Sequence, residues 1–280
     1  MSVVFTHCGE SHGIAFPIPV RFDARTVCCL HIRNCCMNRD EKLVRGDAIA
    51  DVQLAPGVEI RFFCSGSTGA QRLTVCSATM APGTEIPYHT HPTGEGISVL
   101  EGAASAYVEG RRYELQRLDA IYVPMDTPHS VRNESDSTAT LHTSFPTGSP
   151  DREFLEDNFT IETRLETEAN VAEHLVRAAT ATRRPVRPEI DYWDFFCEQT
   201  GAAGIQGGNT VIPPSATLPC PALATDRCIA VSSGNAVVTV QDQQYELTAF
   251  DGLFVPGGTS YQVHNPGEVS VDVIGVSACE

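Results

Sequence analysis

An internal repeat constrains this chain more than any other feature. Displaced by 132 residues, the second half of the sequence falls on the first. Thr68-Gly69-Ala70 coincides with Thr200-Gly201-Ala202, Gly102 with Gly234, and Tyr113-Glu114-Leu115 with Tyr245-Glu246-Leu247. Asp119, Val123 and Pro124 coincide with Asp251, Val255 and Pro256, and Asn133 with Asn265. Phe62-Phe63-Cys64 recurs as Phe195-Phe196-Cys197, one residue out of register. One register held over so many positions means two tandem copies of one domain. The copies are expected at 47–147 and 188–280, with an N-terminal extension at 1–46 and a connector at 148–187.

Each copy reads as β. Gly96 to Gly102 is a short apolar run ending in a turn, and Ala104 to Val108 follows. Glu109-Gly110 is then a turn signal before Arg112 to Leu115 and Ala120 to Val123. In the second copy Asn235 to Val240 alternates between turns at Ser233-Gly234 and Gln241-Asp242. Short strands at near-regular spacing predict an all-β sandwich or barrel for each copy. The connector differs. Ser149-Pro150-Asp151 reads as a helix start, and Val171, Leu175 and Val176 stand at helical spacing before Arg183-Arg184-Pro185, so a helix is expected over 167–179.

The net charge of −16 argues against nucleic-acid and anionic-membrane partners, because phosphates would be repelled. No apolar run approaches the ~18 residues a membrane helix needs. The N-terminus shows no basic region followed by an apolar core, so a cytoplasmic location is expected. Of the eleven cysteines, Cys8, Cys28, Cys29, Cys35 and Cys36 lie in residues 1–36. Without a secretion signal a disulfide framework is not expected. Cys29, His31, Cys35 and Cys36 admit a zinc cluster, although their spacing fits no usual zinc-finger pattern. A simpler reading makes residues 1–36 an upstream extension ahead of Met37.

The first copy holds the residues that carry chemistry. His89 and His91 are two apart and point to one side of a strand. Pro92-Thr93-Gly94 is a turn that brings Glu95 back beside them, and His129 is the leading candidate for a third imidazole. Three imidazoles and a carboxylate suit one divalent transition metal (Fe, Mn, Ni, Zn or Co) and leave two positions of an octahedral ion open. Glu95 could also detach and serve as a base. His142, in the last strand of the copy, is a candidate base behind the ligands, and Glu85 shares the parity of His89 at the mouth. His174, His264 and Cys76 read as ordinary solvated or core residues.

These residues resemble the cupin superfamily. Its first motif is met by Gly83, His89, His91, Glu95 and Gly102. Its second is met by Pro124, His129 and Asn133, with Leu118 and Asp126 standing where the motif has glycine. The resemblance implies two tandem cupin barrels, of the double-stranded β-helix or jelly-roll kind, joined by a partly helical connector. Cupin barrels often pair through edge strands, so the two copies are expected to pack in that way, and a homodimer is a further expectation.

The second copy tests the site. At the same offset Pro221, Leu223, Arg227 and Tyr261 replace His89, His91, Glu95 and His129. The scaffold is kept and the metal ligands are not. Arg227 beside Tyr261 is a candidate anion site in that barrel.

Similar two-barrel proteins include dioxygenases of the quercetinase type, oxalate-acting enzymes and ureidoglycine aminohydrolases. The resemblance therefore implies a metal-dependent protein acting on a small-molecule metabolite, with dioxygenase chemistry favoured. A non-catalytic metal- or ligand-binding protein and a metal-dependent hydrolase or isomerase stay open.

Overall fold

The computed structural model describes residues 40–156, 162–163 and 171–279. Among them are strands and two single-turn 3-10 helices, and no α-helix. The cysteines and histidine of residues 28–36 lie outside the described residues.

Each copy forms a barrel of two sheets. In the first, a seven-stranded sheet runs His174–Val176, Ala120–Val123, Glu95–Glu101, Ala139–Phe145, Thr74–Met80, Val58–Cys64 and Val52–Ala55. Its six-stranded partner runs Glu153–Phe154, Glu85–Thr90, His129–Arg132, Ala103–Val108, Arg111–Gln116 and Glu162–Thr163. In the second barrel the seven-stranded sheet runs Lys42–Val44, Gly252–Val255, Arg227–Ser233, Val271–Ala278, Ile205–Ile212, Ile190–Phe196 and Arg184–Arg187. Thr217–Cys220, Tyr261–His264, Ala236–Val240 and Gln243–Leu247 complete it.

Three cores hold this together. Ile60, Met80, Val99, Leu115 and Leu141 fill the first barrel, and Ile212, Val238, Leu253 and Val271 the second. A third core joins the barrels, where Phe63, Leu73, Leu100 and Tyr122 of one meet Trp193, Phe195, Phe196 and Phe254 of the other. The sheets thus pack face to face, whereas edge-to-edge pairing of the copies was the expectation. The strong apolarity of both faces of these central strands explains the difference: a strand buried on two faces carries no polar side.

Edge pairing is present in another form. Lys42–Val44, ahead of the first barrel, pairs with Gly252–Val255 of the second. His174–Val176, ahead of the second barrel, pairs with Ala120–Val123 of the first. The helix expected over 167–179 is thereby corrected at its C-terminal part. Leu175 packs on the first barrel's core and Val176 on the core between the barrels. Consecutive apolar residues are needed because alternate side chains of this strand face two different cores. Leu43 and Val44 repeat the arrangement. Ser149-Pro150-Asp151 starts no helix either, and leads into the strand Glu153–Phe154.

The repeat keeps one register through the segment where Phe62-Phe63-Cys64 shows a slip. The 3-10 turns Gly66–Thr68 and Glu198–Thr200 and their left-handed caps Gly69 and Gly201 stand 132 residues apart. Phe63 therefore matches Phe195, and the one-residue slip at Phe62-Phe63-Cys64 is coincidental. Asn133 donates through Nδ2 to the carbonyls of Met80 and Ser137 at 2.9 and 2.8 Å. Asn265 does the same to Ile212 and Val269 at 2.9 and 2.8 Å. Leu118 and Asp126 adopt φ of 64° and 57°, so the turns keep the left-handed conformation without glycine.

Candidate metal centre

The strand Glu85–Thr90 carries His89 near its end, and His91 follows it. Glu95 opens the next strand and His129 opens His129–Arg132, where it stands opposite His89. The second motif's turn is tied to the first, because the Asp126 N–H donates to the His91 carbonyl at 2.8 Å. All four side chains are buried, and their ligand atoms lie within 4.8 Å of one another. No second group of this kind occurs among the described residues.

Backbone carbonyls orient the three rings. Nδ1 of His89 donates to Pro87 at 2.7 Å, and that of His129 to Thr127 at 2.8 Å. Nδ1 of His91 donates to the Asp151 carbonyl. A carbonyl can only accept, so each Nδ1 carries the proton and each Nε2 presents a lone pair to the centre. The Nε2 atoms of His89 and His91 are buried with no partner. His129 Nε2 is 2.9 Å and His91 Nε2 3.4 Å from Glu95 Oε2. Three imidazole nitrogens and a carboxylate converging in this way are a donor set that could hold a divalent transition metal.

Electrostatics favour the ligating protonation states. Burial, reinforced by the neighbouring His129, pushes the His89 imidazole down to about 3. Burial alone would raise the Glu95 carboxyl, but its close contacts with the His129 and His91 rings outweigh it and hold the group well below its ordinary range. Neutral imidazole and ionised carboxylate are the forms that bind metal.

The centre borders a cavity of about 150 Å³ lined by Leu54, Ile60, Phe62, Ile86 and Phe145, with Arg152 as its cation. Phe145 packs edge-on against His91, with ring centroids 4.8 Å apart, and Phe154 lies 6.0 Å from His89. The Arg152 Nε is buried and without a partner. Sequence reasoning missed Asp151, Arg152 and Phe154. They belong to the connector, and only the pairing of Glu153–Phe154 with Glu85–Thr90 brings them here.

His142 is not brought to the centre. Leu141, Thr143 and Phe145 face the barrel interior, so His142 faces the other way, 6.2 Å from Phe63 in the layer between the barrels. Glu85 is exposed and paired with Arg132 at 2.8 Å. Cys76 is a core residue whose thiol meets Thr143 Oγ1 at 2.9 Å, and burial pushes it up to about 12. His174 and His264 are half-buried, the latter 3.0 Å from Thr217 Oγ1.

Comparison with known proteins agrees with this architecture. Residues 77–145 match the family model described as Cupin domain. An uncharacterized protein of Methanocaldococcus jannaschii is 31% identical over 61 residues, 21% of this chain and 49% of its own. The chain thus spans about half the length of that curated relative. The salicylate 1,2-dioxygenase of Pseudoaminobacter salicylatoxidans, solved as an adduct with gentisate, superposes with a TM-score of 0.65 at 13% identity over 85% of this chain and 81% of its own. AerE from Microcystis aeruginosa superposes at 0.61 with 14% identity, over 83% of this chain and 98% of its own. No helix of the described residues is long and apolar enough to cross a membrane. Residues 77–145 match a cupin domain, and they lie within a chain that folds as two tandem β-barrels.

Proposed function

We propose that the first barrel is the active site of a metal-dependent dioxygenase acting on a small, carboxylate-bearing metabolite. The observation that carries this reading is the convergence of His89, His91, Glu95 and His129 beside an apolar cavity whose cation is Arg152. A bound divalent transition metal would supply Lewis acidity and, if redox-active, electron transfer toward dioxygen.

The chain's own residues supply the rest. Arg152 holds the substrate's carboxylate by charge-assisted hydrogen bonds, fixing which end of the molecule faces the histidines. The walls formed by Leu54, Ile60, Phe62 and Ile86 exclude water, which strengthens that contact and protects reactive species. Glu95, held ionised, is the one carboxylate placed to accept a proton from substrate. The carbonyls of Pro87, Thr127 and Asp151 keep the imidazoles from turning. The likeness of fold to a salicylate 1,2-dioxygenase favours ring-sized substrates and oxygen chemistry.

The test is metal analysis of purified protein followed by oxygen uptake with hydroxylated aromatic acids and other small carboxylates. Stoichiometric uptake that disappears in His129→Ala is the expected result. Tight ligand binding without turnover would replace the reading by that of a binding protein. Turnover without oxygen uptake would replace it by a hydrolase or isomerase.

A further inference from the structure

The second barrel has lost the metal ligands but not the cavity. Arg227 opens the strand Arg227–Ser233, and Tyr261 opens Tyr261–His264. These are the strand-start positions that Glu95 and His129 hold in the first barrel. The backbone that aims two ligands at the first cavity therefore aims a guanidinium and a phenol at the second. That second cavity measures about 360 Å³, against about 150 Å³ in the first. Part of the extra room comes from Gly275, which stands where the first barrel has Thr143. A Cβ built on Gly275 would meet nothing within 4 Å.

The charge of Arg227 is unusual in its isolation. Its side chain is buried, with the residue 9% exposed. Its guanidinium meets the Pro221 carbonyl and lies against Tyr261, 5.3 Å from the ring centroid, with Cys220 nearby. No carboxylate among the described residues pairs with it. Asp194, which also lines the cavity, is already paired with Arg184 at 2.5 Å. Asp226, next in sequence, faces away and accepts the N–H groups of Gln71 and Gly257 at 2.7 and 3.0 Å. Two guanidiniums against one carboxylate leave the cavity with a surplus positive charge, in a chain whose net charge is −16. A buried cation is normally paired, because its desolvation is otherwise uncompensated.

We infer that the second barrel binds a small organic monoanion, with its carboxylate on Arg227 and an apolar or aromatic body against Tyr192, Tyr261 and Leu223. The cavity size suits a ring-sized molecule, and a lining of apolar and aromatic side chains with a few placed polar and charged groups is the usual composition of a small-molecule site. Burial keeps the Tyr261 hydroxyl protonated and able to donate. This site needs no metal and is independent of the chemistry in the first barrel.

The test uses the full chain and fluorine NMR with para-fluorobenzoate as probe and the neutral para-fluorobenzamide as control. Wild type is expected to bind the benzoate and not the amide. In an Arg152→Gln background, which removes the carboxylate contact of the first barrel, Arg227→Gln should weaken binding about tenfold or more, the loss expected of one charge-assisted contact. Gly275→Val fills the cavity while leaving Arg227 in place, and should weaken binding as much. Arg152→Gln, in the first barrel, should leave one binding event intact. The inference is overturned if wild type shows no binding at ~10 mM probe, a Kd too weak for a site. It is overturned equally if adding Arg227→Gln to Arg152→Gln leaves binding unchanged, or if Arg152→Gln alone abolishes all binding.

Discussion

Arg45 and Asp251 meet at 2.8 Å, joining the segment ahead of the first barrel to the second barrel. The repeat reproduces the contact, with Arg177 and Asp119 at 2.7 Å joining the connector to the first barrel. Each carboxylate also accepts the N–H that follows its arginine, from Gly46 at 2.7 Å and from Ala178 at 2.9 Å. Each barrel is thus closed by a strand that precedes the other, and a buried aspartate fastens it. Burial would raise the Asp251 carboxyl, but N–H donors of Thr248 and Gly46 and the Arg45 guanidinium hold it below its usual value. Asp251→Ala leaves those donors unpaired and should cost about 2 kcal/mol, as should Asp119→Ala. Arg45→Ala should cost less than 1 kcal/mol, because Arg45 is half exposed and its charge is screened. Urea unfolding reads all three, and wild-type stability in Asp251→Ala would refute the fastening role.

Some of this was legible in sequence for a physical reason. Asn133 and Asn265, and Asp119 and Asp251, satisfy equivalent backbone groups, and Gly69 and Gly201 hold equivalent left-handed caps, so the same residue types recur in the register that exposes two copies. The convergence of His89, His91, Glu95 and His129 was legible because a turn and two strand starts fix their spacing. Arg152 was not, since a connector residue reaches the cavity only through a tertiary strand pairing. The helix expected at 167–179 failed at His174–Val176 because adjacent apolar residues serve two separate cores there, and a one-dimensional pattern cannot tell two cores from one helix face.

The layer between the barrels is closely fitted at two glycines. A Cβ on Gly252 would lie 2.3 Å from Phe63 Cγ, and one on Gly96 would lie 2.3 Å from Phe196 Cε1. Both rings are fully buried and cannot swing into solvent. Gly252→Ala and Gly96→Ala should each destabilise by about 1–3 kcal/mol through overpacking. Thermal unfolding measures this. Pairing Gly252→Ala with Phe63→Leu should recover part of the loss, and failure of that double variant to recover any would place the clash elsewhere.

His142 makes stability depend on pH without taking part in the metal site. Burial pushes its imidazole down from 6.5 to about 4, and its Nε2 has no partner. Below pH 6.5 the unfolded chain takes up a proton that the folded chain refuses. Stability therefore falls with pH between about 6.5 and about 4, with a limiting slope near 1.4 kcal/mol per pH unit. His142→Leu removes this contribution and also a buried unsatisfied nitrogen, so it should be neutral or stabilising at pH 7 and flatter in acid. Denaturation curves of both proteins across that window, with metal content as control, decide the matter. Loss of metal from His142→Leu would return this residue to the centre.

The proposed metal centre predicts a stability linkage of its own. A cation that binds the folded chain alone raises the unfolding temperature in proportion to the logarithm of its concentration. Titration with divalent metal should raise Tm in wild type. It should leave His89→Ala and His129→Ala nearly unmoved, because each loses one of four converging ligands. Equal metal-induced shifts in wild type and both variants would mean that the ion sits elsewhere.

Arg152 separates binding from chemistry at the proposed active site. Its buried Nε lacks a partner, and it shares a cavity with His91 and Glu95 but reaches no ligand atom by a hydrogen bond. Arg152→Gln removes the charge and keeps much of the shape. If the guanidinium only holds the substrate's carboxylate, KM rises by about 10- to 100-fold while kcat and metal content hold, because uniform binding is what is lost. If it also fixes the reacting geometry, kcat falls as well, since misplacement of substrate weakens the transition state more than the ground state. A substrate analogue with the carboxylate replaced by an amide should be indifferent to the substitution. Equal losses with acid and amide would show that Arg152 shapes the cavity and does not recognise charge.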